Sequence, residues 1–351
     1  MDLPGLSEML MNPYIQDILA QPQALAATLQ QLPPAAAEVR ALAARLEAGK
    51  FSRIVLTGMG GSLAALYPLW YRLIQAGYAP HLIETSELLY DAARLVTADT
   101  LLVIVSQSGR SAEIVRLIEQ QPEATVLAVT NSAGSPLAHS AAVAVVTAAG
   151  VESNVSCKTY VAALAALAMI SDALAPQSSD SFGWEQLHGV VEVMNTYLAE
   201  WEERANQLSQ LLPSDDVILC GRGASLAAVH YSALILKEAA KIHAQGLSAP
   251  QVRHGPLELA ITPIQVLVYE GQGETAVLNR RLVEDFSGAG GRAFLVGETS
   301  PHEHLRLPAV TAVALPILEI LPMQLLSLGL AWRKQLEPGK FYVGSKITTV
   351  E

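Results

Sequence analysis

Charge and sulfur are both scarce: charged residues fill 16% of the 351 positions, and Cys157 and Cys220 are the only cysteines. Two cysteines in apolar or strand-like surroundings give neither a disulfide framework nor a four-ligand zinc site, and they suit a reducing cytoplasm. The net charge of −11 comes with no Lys/Arg cluster to offset it. Such a surface repels a phosphate backbone, so nucleic acid is not expected as a partner. The histidines show no paired ligand spacing apart from His302-x-His304, which reads as a solvated loop, and no metal is expected. Met1-Asp2-Leu3-Pro4 lacks the basic and then apolar stretch of a secretory leader, so export is not expected. The apolar run around Tyr160–Met169 falls short of the roughly eighteen residues a membrane span needs. It reads as a buried helix, and a membrane is not an expected partner.

Apolar residues, at 51%, supply ample core, and the length suits two domains at roughly 150 residues each. A repeat supports that division. Arg53-Ile54-Val55-Leu56-Thr57-Gly58-Met59-Gly60-Gly61-Ser62-Leu63-Ala64-Ala65 returns as Asp216-Val217-Ile218-Leu219-Cys220-Gly221-Arg222-Gly223-Ala224-Ser225-Leu226-Ala227-Ala228, an offset of 216 − 53 = 163. Each copy runs as a short strand, a glycine turn and an apolar helical segment, the pattern of parallel strands with helical crossovers. Further strands are expected at 101–105, 126–129 and 142–146, then at 264–269 and 293–296. Their apolar runs suit strands covered on both faces. The fold expected is α/β, two tandem doubly wound parallel-sheet domains. The expected boundaries are a helical lead-in over 1–35, a phosphate-binding first domain over 36–178, a second domain over 179–336 and a tail over 337–351. Pro176–Ser181 reads as the linker and 185–212 as a helical connection.

In open α/β sheets, ligands bind beyond the carboxyl ends of the strands, where loops lead into helix N-termini. Ser106-Gln107-Ser108-Gly109-Arg110-Ser111 follows one strand and opens a helical stretch. Three hydroxyls, an amide and a glycine can hold a phosphate by neutral hydrogen bonds. A helix cap alone would need one serine. The turn Gly58-Met59-Gly60-Gly61-Ser62 lacks the third glycine of a dinucleotide fingerprint, since position 63 is leucine. It reads as a sugar-hydroxyl contact, and no cofactor is expected. The 163-residue offset carries Ser106-Gln107-Ser108 onto Tyr269-Glu270-Gly271, where a glutamate repels phosphate.

These motifs, together with Glu152 and Ser156-Cys157-Lys158, Leu236-Lys237-Glu238 through Ile242-His243-Ala244, His254-Gly255-Pro256-Leu257 and the ending Lys346-Ile347-Thr348-Thr349-Val350-Glu351, resemble the sugar isomerase (SIS) family. The likeness is to the tandem, flavodoxin-like isomerase half of the glucosamine-6-phosphate synthases. It implies that Ser106, Gln107, Ser108 and Ser111 hold a sugar phosphate and that Gly61, Ser62 and Asn154 line the sugar. It implies that Glu238 moves a proton between C1 and C2, and that His254 acts in ring opening or as an acid, often from a neighbouring subunit, so a homodimer is expected. It further implies that Lys346 approaches the carbonyl carbon. Taken singly, Glu238 reads as an exposed residue paired with Lys241, His254 as a turn residue and Lys346 as a solvated lysine. The sequence also departs from that family. No cysteine precedes Cys157, so a glutaminase is not expected, and Ile235 stands where the family carries a lysine one turn before the glutamate. This favours the related fructosamine 6-phosphate deglycases and amino-sugar-phosphate deaminases or isomerases, for which a base and an acid suffice. The alternative is a non-catalytic sugar-phosphate-binding regulator, which has no need of the acid–base pair. A nicotinamide oxidoreductase, resting on the glycine turn alone, ranks third.

Overall fold

The computed structural model describes residues 9–176 and 183–347. Among them, 21–152, 158–176, 183–191 and 345–347 gather into one compact unit, and 9–20, 153–157 and 192–344 into another. All of the expected linker except Pro176 lies outside the described residues, as does the end of the tail after Ile347.

The first unit is built on five parallel strands, β1 (Arg53–Gly58), β2 (His81–Glu84), β3 (Thr100–Val105), β4 (Thr125–Thr130) and β5 (Val143–Val146), in the order β2-β1-β3-β4-β5. Every residue of β3 is buried, as the apolar run of a central strand requires. The helix Gln21–Glu47 packs against the helix Lys158–Leu174. It buries Leu25, Leu29, Leu32, Ala36, Val39, Leu42 and Leu46, spaced three and four apart on one stripe. That stripe is unbroken across the boundary expected at residue 35, and the helix runs straight through it. Pro33 and Pro34 lie inside the helix but on its exposed side. The missing N–H groups cost local hydrogen bonds there without disturbing the packed face. The preceding helix, Pro13–Leu19, belongs to the second unit, so the expected lead-in divides near residue 20.

The second unit carries four parallel strands, β6 (Asp216–Gly221), β7 (His243–Ser248), β8 (Gln265–Tyr269) and β9 (Arg292–Val296), ordered β7-β6-β8-β9. This is the order of the first four strands of the other sheet. The helices Leu226–Ala240 and Leu321–Arg333 pack on each other, and Leu321–Arg333 also packs on Trp201–Leu211. Gly329 permits the second of these approaches, because a Cβ there would lie 2.6 Å from Ser209 Cβ. The stretch Leu315–Arg333, and not the run around Tyr160–Met169, is long and apolar enough to cross a membrane by length and composition. Pro316 and Pro322 open its two successive helices, Leu315–Glu319 and Leu321–Arg333, and the stretch is buried as the core of its unit. His302 and His304, expected in a solvated loop, are half-buried. The His302 ring packs on Phe294, and burial lowers its pKa.

Within this core Glu319 is fully buried. One carboxyl oxygen accepts the Ser225 hydroxyl at 2.7 Å, while the other has no hydrogen-bond partner. Burial pushes its pKa up to about 8, against the opposing effect of the Ser225 bond. The folded protein therefore retains this proton to a higher pH than the unfolded chain. Its contribution to stability is complete below the ordinary value of 4.5 and is lost as pH rises to about 8. Urea unfolding of wild type is expected to show lower stability at pH 8 than at pH 5, with a smaller difference in Glu319→Gln. Equal differences in the two proteins would remove the buried acid as the cause.

Candidate active site

The strand order of the first sheet reverses between β1 and β3, so the loops that leave their carboxyl ends diverge and open a crevice. Gly58 ends β1 at the point of closest approach: a Cβ there would sit 3.0 Å from the Val105 carbonyl and from the Leu63 amide nitrogen. The chain then turns through Gly60, at φ +53°, into the short helix Gly61–Ala65. Gly61 and Ser62 are half-buried in its first turn.

After β3 the loop 106–111 is pinned by main-chain bonds to the end of β4. The Ser106 amide donates to the Val129 carbonyl at 3.0 Å, and the Asn131 amide donates to the Gln107 carbonyl at 3.0 Å. The Thr130 hydroxyl donates to the same carbonyl at 3.1 Å. Ser106 Oγ accepts the Gly109 amide and Ser108 Oγ accepts the Arg110 amide, each at 3.2 Å. Because both oxygens act as acceptors, their hydroxyl protons are the donors that remain for a ligand. Ser111 stands at the N-cap of the helix Ala112–Gln120 but makes no side-chain cap bond, unlike Ser135, which caps its own helix through the Ala138 amide. None of the three serines caps the helix, which removes the simple capping explanation for the motif. Arg110 reaches outward to the Gly134 carbonyl at 2.6 Å.

Lys346 is also in this unit, and it is not a solvated lysine. Its Nζ lies 2.7 Å from Glu152 Oε2, with 15% of the lysine side chain and none of the glutamate side chain exposed. The Glu152 carboxylate also accepts the Thr159 amide at 3.1 Å and the Thr159 hydroxyl at 2.5 Å. In the sequence Glu152 stands out only as part of a motif. The available signal was an acidic residue within an apolar stretch, seven positions before a threonine in the first turn of a long helix.

The other expected residues belong to the second unit. Glu238 is half-buried near the end of the helix Leu226–Ala240, and Ile235, one turn earlier, is fully buried. Lys241, left-handed at φ +53°, donates through Nζ to the main-chain carbonyls of Glu238 and of Lys340. Burial lowers its pKa, and the Glu238 charge partly restores it. His254 is exposed in the turn before Gly255, with its amide bonded to the Gln251 carbonyl at 3.0 Å. Asn154 is half-buried in the segment 153–157, where the Tyr231 hydroxyl donates to the Ser156 carbonyl.

In the second sheet, strand register places the counterpart of Ser106 one residue later than the constant offset does. Val105 pairs at the level of Gly58 in one sheet and Tyr269 follows the residue paired with Cys220 in the other, so the offset here is 270 − 106 = 164. Glu270 takes the place of Ser106, and Gly273, at φ +65°, that of Gly109, at φ +59°. The Glu270 carboxylate is buried and fills its own loop. It pairs with Arg280 Nη1 at 2.5 Å and accepts the Thr299 amide at 2.9 Å and hydroxyl at 2.6 Å.

A doubly wound parallel sheet with a hydroxyl-rich loop at its switch point defines the class of the first unit, an α/β ligand-binding domain. The family match is to the SIS domain, over residues 50–171, which lie in the first unit except for 153–157. The glutamine–fructose-6-phosphate aminotransferase (isomerizing) of Thermococcus kodakarensis is 31% identical over 325 residues, which is 87% of this chain and 53% of that protein. The chain thus spans about half the length of the curated relatives it matches. The C-terminal domain of glucosamine-fructose-6-phosphate aminotransferase from Francisella tularensis shares the fold with a TM-score of 0.81 at 22% identity, covering 94% of this chain and 98% of that one. Tagatose-6-phosphate ketose/aldose isomerase from Escherichia coli shares it with a TM-score of 0.82 at 17% identity, covering 98% and 99%.

The serine loop depends on Gly109, whose φ of +59° disfavours any side chain and where a Cβ would lie 2.7 Å from Ser135 Cβ and nearer still to its hydroxyl. Gly109→Ala is expected to cost at least about 2 kcal/mol from left-handed backbone strain and overpacking together. Urea unfolding measures this, and a variant within error of wild type would show that the loop has another conformation available.

Proposed function

We propose that the chain is a tandem of SIS domains acting as a phosphosugar-processing enzyme in the cytoplasm, of the isomerase, deglycase or deaminase kind. Its substrate is a ketose or amino-sugar 6-phosphate. The observation that carries this reading is the loop 106–111, whose serine hydroxyls are oriented by main-chain bonds and are not consumed as helix caps. A dianionic phosphate can sit there on neutral donors beside the N-terminus of the helix Ala112–Gln120. The second loop is filled by its own carboxylate, so one phosphate site per chain is expected.

In the proposed reaction Glu238 removes a proton from the carbon next to a carbonyl or imine, and His254 supplies a proton to the oxygen or the departing amine. Lys346 approaches the carbonyl carbon as an amine nucleophile. Gly61, Ser62 and Asn154 contact the sugar. The active form proposed is a homodimer, with His254 reaching a neighbouring chain. Deglycase or deaminase chemistry is preferred over glucosamine synthesis because Ile235 supplies no cation one turn before Glu238.

The test is a panel of hexose, 2-amino-hexose and fructosamine 6-phosphates, followed by release of amine and of product sugar phosphate. Turnover of at least one member is expected. Glu238→Gln should lower kcat by about 10²–10⁴-fold while sugar phosphate still protects the protein thermally, since proton transfer and not binding is lost. Thermal protection of wild type without turnover of any member would instead favour a regulatory sugar-phosphate-binding protein.

A further inference from the structure

We infer that Glu152, clamped by Thr159, is the positioning residue for Lys346, and that its buried carboxylate is the socket that docks the Lys346 segment onto the unit carrying the serine loop. The inference builds on the reading in which Lys346 meets the sugar, but its structural part stands on different observations.

The Glu152 side chain has no exposed surface, and a carboxylate in that position is tolerated only when paired and hydrogen-bonded. Thr159 supplies two of the bonds, from an amide and a hydroxyl in the first turn of the helix Lys158–Leu174, where the helix dipole also favours a negative charge. Lys346 Nζ supplies the countercharge at 2.7 Å. The glutamate is thus held by the rigid scaffold, and the tail lysine is the partner that can leave it.

A second set of bonds ties this socket to the phosphate loop within the same unit. The Asn131 amide holds the Gln107 carbonyl, while the Asn131 side chain accepts the Thr147 hydroxyl at 2.9 Å and the Ala149 amide at 3.1 Å and donates to the Gly150 carbonyl at 2.8 Å. The main chain two residues before Glu152 is therefore fixed to the same backbone that carries Gln107. Glu152 acts on the reaction through the lysine: it sets where the ammonium rests and shields it until a sugar phosphate draws it away.

Reductive methylation of the free protein with formaldehyde and cyanoborohydride, read residue by residue by mass spectrometry, tests the socket without any substrate. In wild type, Lys346 should react at least about 10-fold more slowly than the exposed Lys50; in Glu152→Gln it should approach the Lys50 rate, and in Thr159→Val, which loosens the carboxylate, it should fall between the two. Thr159→Val keeps the charge and serves if Glu152→Gln does not fold. On the preferred substrate, Glu152→Gln should lower kcat by about 10-fold or more with KM within about 2-fold of wild type, a split that general loosening of the fold would not produce. Equal Lys346 reactivity in wild type and both variants overturns the inference. Protection in wild type that is lost in the variants supports the socket even if no sugar phosphate turns over, and in that event it is the enzymatic reading that fails.

Discussion

A parallel sheet covered on both faces constrains everything else in this chain. The strands spend their main-chain hydrogen bonds on one another, as β3 does with β1 and β4, and their side chains are apolar because both faces are buried. Polar chemistry is left to the strand ends, and it is at an order reversal, such as that between β1 and β3, that the connecting loops of such a sheet part and a ligand can enter. That the glycine turn and the serine loop occupy these two ends follows from the topology. Gly58 provides the close approach of the strands, and β4 provides the anchor that holds the loop open.

In the second sheet the same topology carries a loop filled by its own carboxylate. Glu270, at the position of Ser106, turns its carboxylate onto Thr299 and Arg280, so the oxygens satisfy donors from their own loops. The neighbouring turn is tied down in the same way, with Arg222 Nε donating to Asn279, whose amide donates to the Tyr269 and Glu270 carbonyls. The polar main chain at the sheet's end is satisfied internally, and the loop becomes structure.

The sequence discloses what depends on short-range pattern and hides what depends on distant partners. The strands β1, β3, β4, β5, β6, β8 and β9 are legible as apolar runs, and the loop 106–111 as a cluster of hydroxyls after one of them. Of the four edge strands, β2 and β7 are not, because His81–Glu84 and His243–Ser248 are mixed in polarity and partly exposed, whereas the edge strands β5 and β9 keep apolar runs. The repeat gives the counterpart of Ser106 to within one residue. The slip arises from a single extra position between β6 and β8, which alignment from the glycine turn cannot detect. Lys346 reads as solvated because the only acidic residues within ten positions of it are Glu337 and Glu351, and its partner Glu152 lies 194 positions away. That distance is closed by the fold and by no local signal.

Ile235 bears on how far the resemblance to glucosamine-6-phosphate synthases extends. It is fully buried on the inner face of its helix, between Tyr231 and Ala239, which are buried as well. An ammonium in its place would need a buried counterion or a path to solvent, and restoring a lysine there would require other changes in the core. Lys241 does not replace it, because its Nζ is already bound to two main-chain carbonyls and burial lowers its pKa. On the proposed reading, then, the base and the acid work without a fixed cation beside Glu238. Reactions in which the departing nitrogen carries its own positive charge have the least need of one. This is the physical ground for preferring an amine-bearing sugar phosphate over a plain ketose.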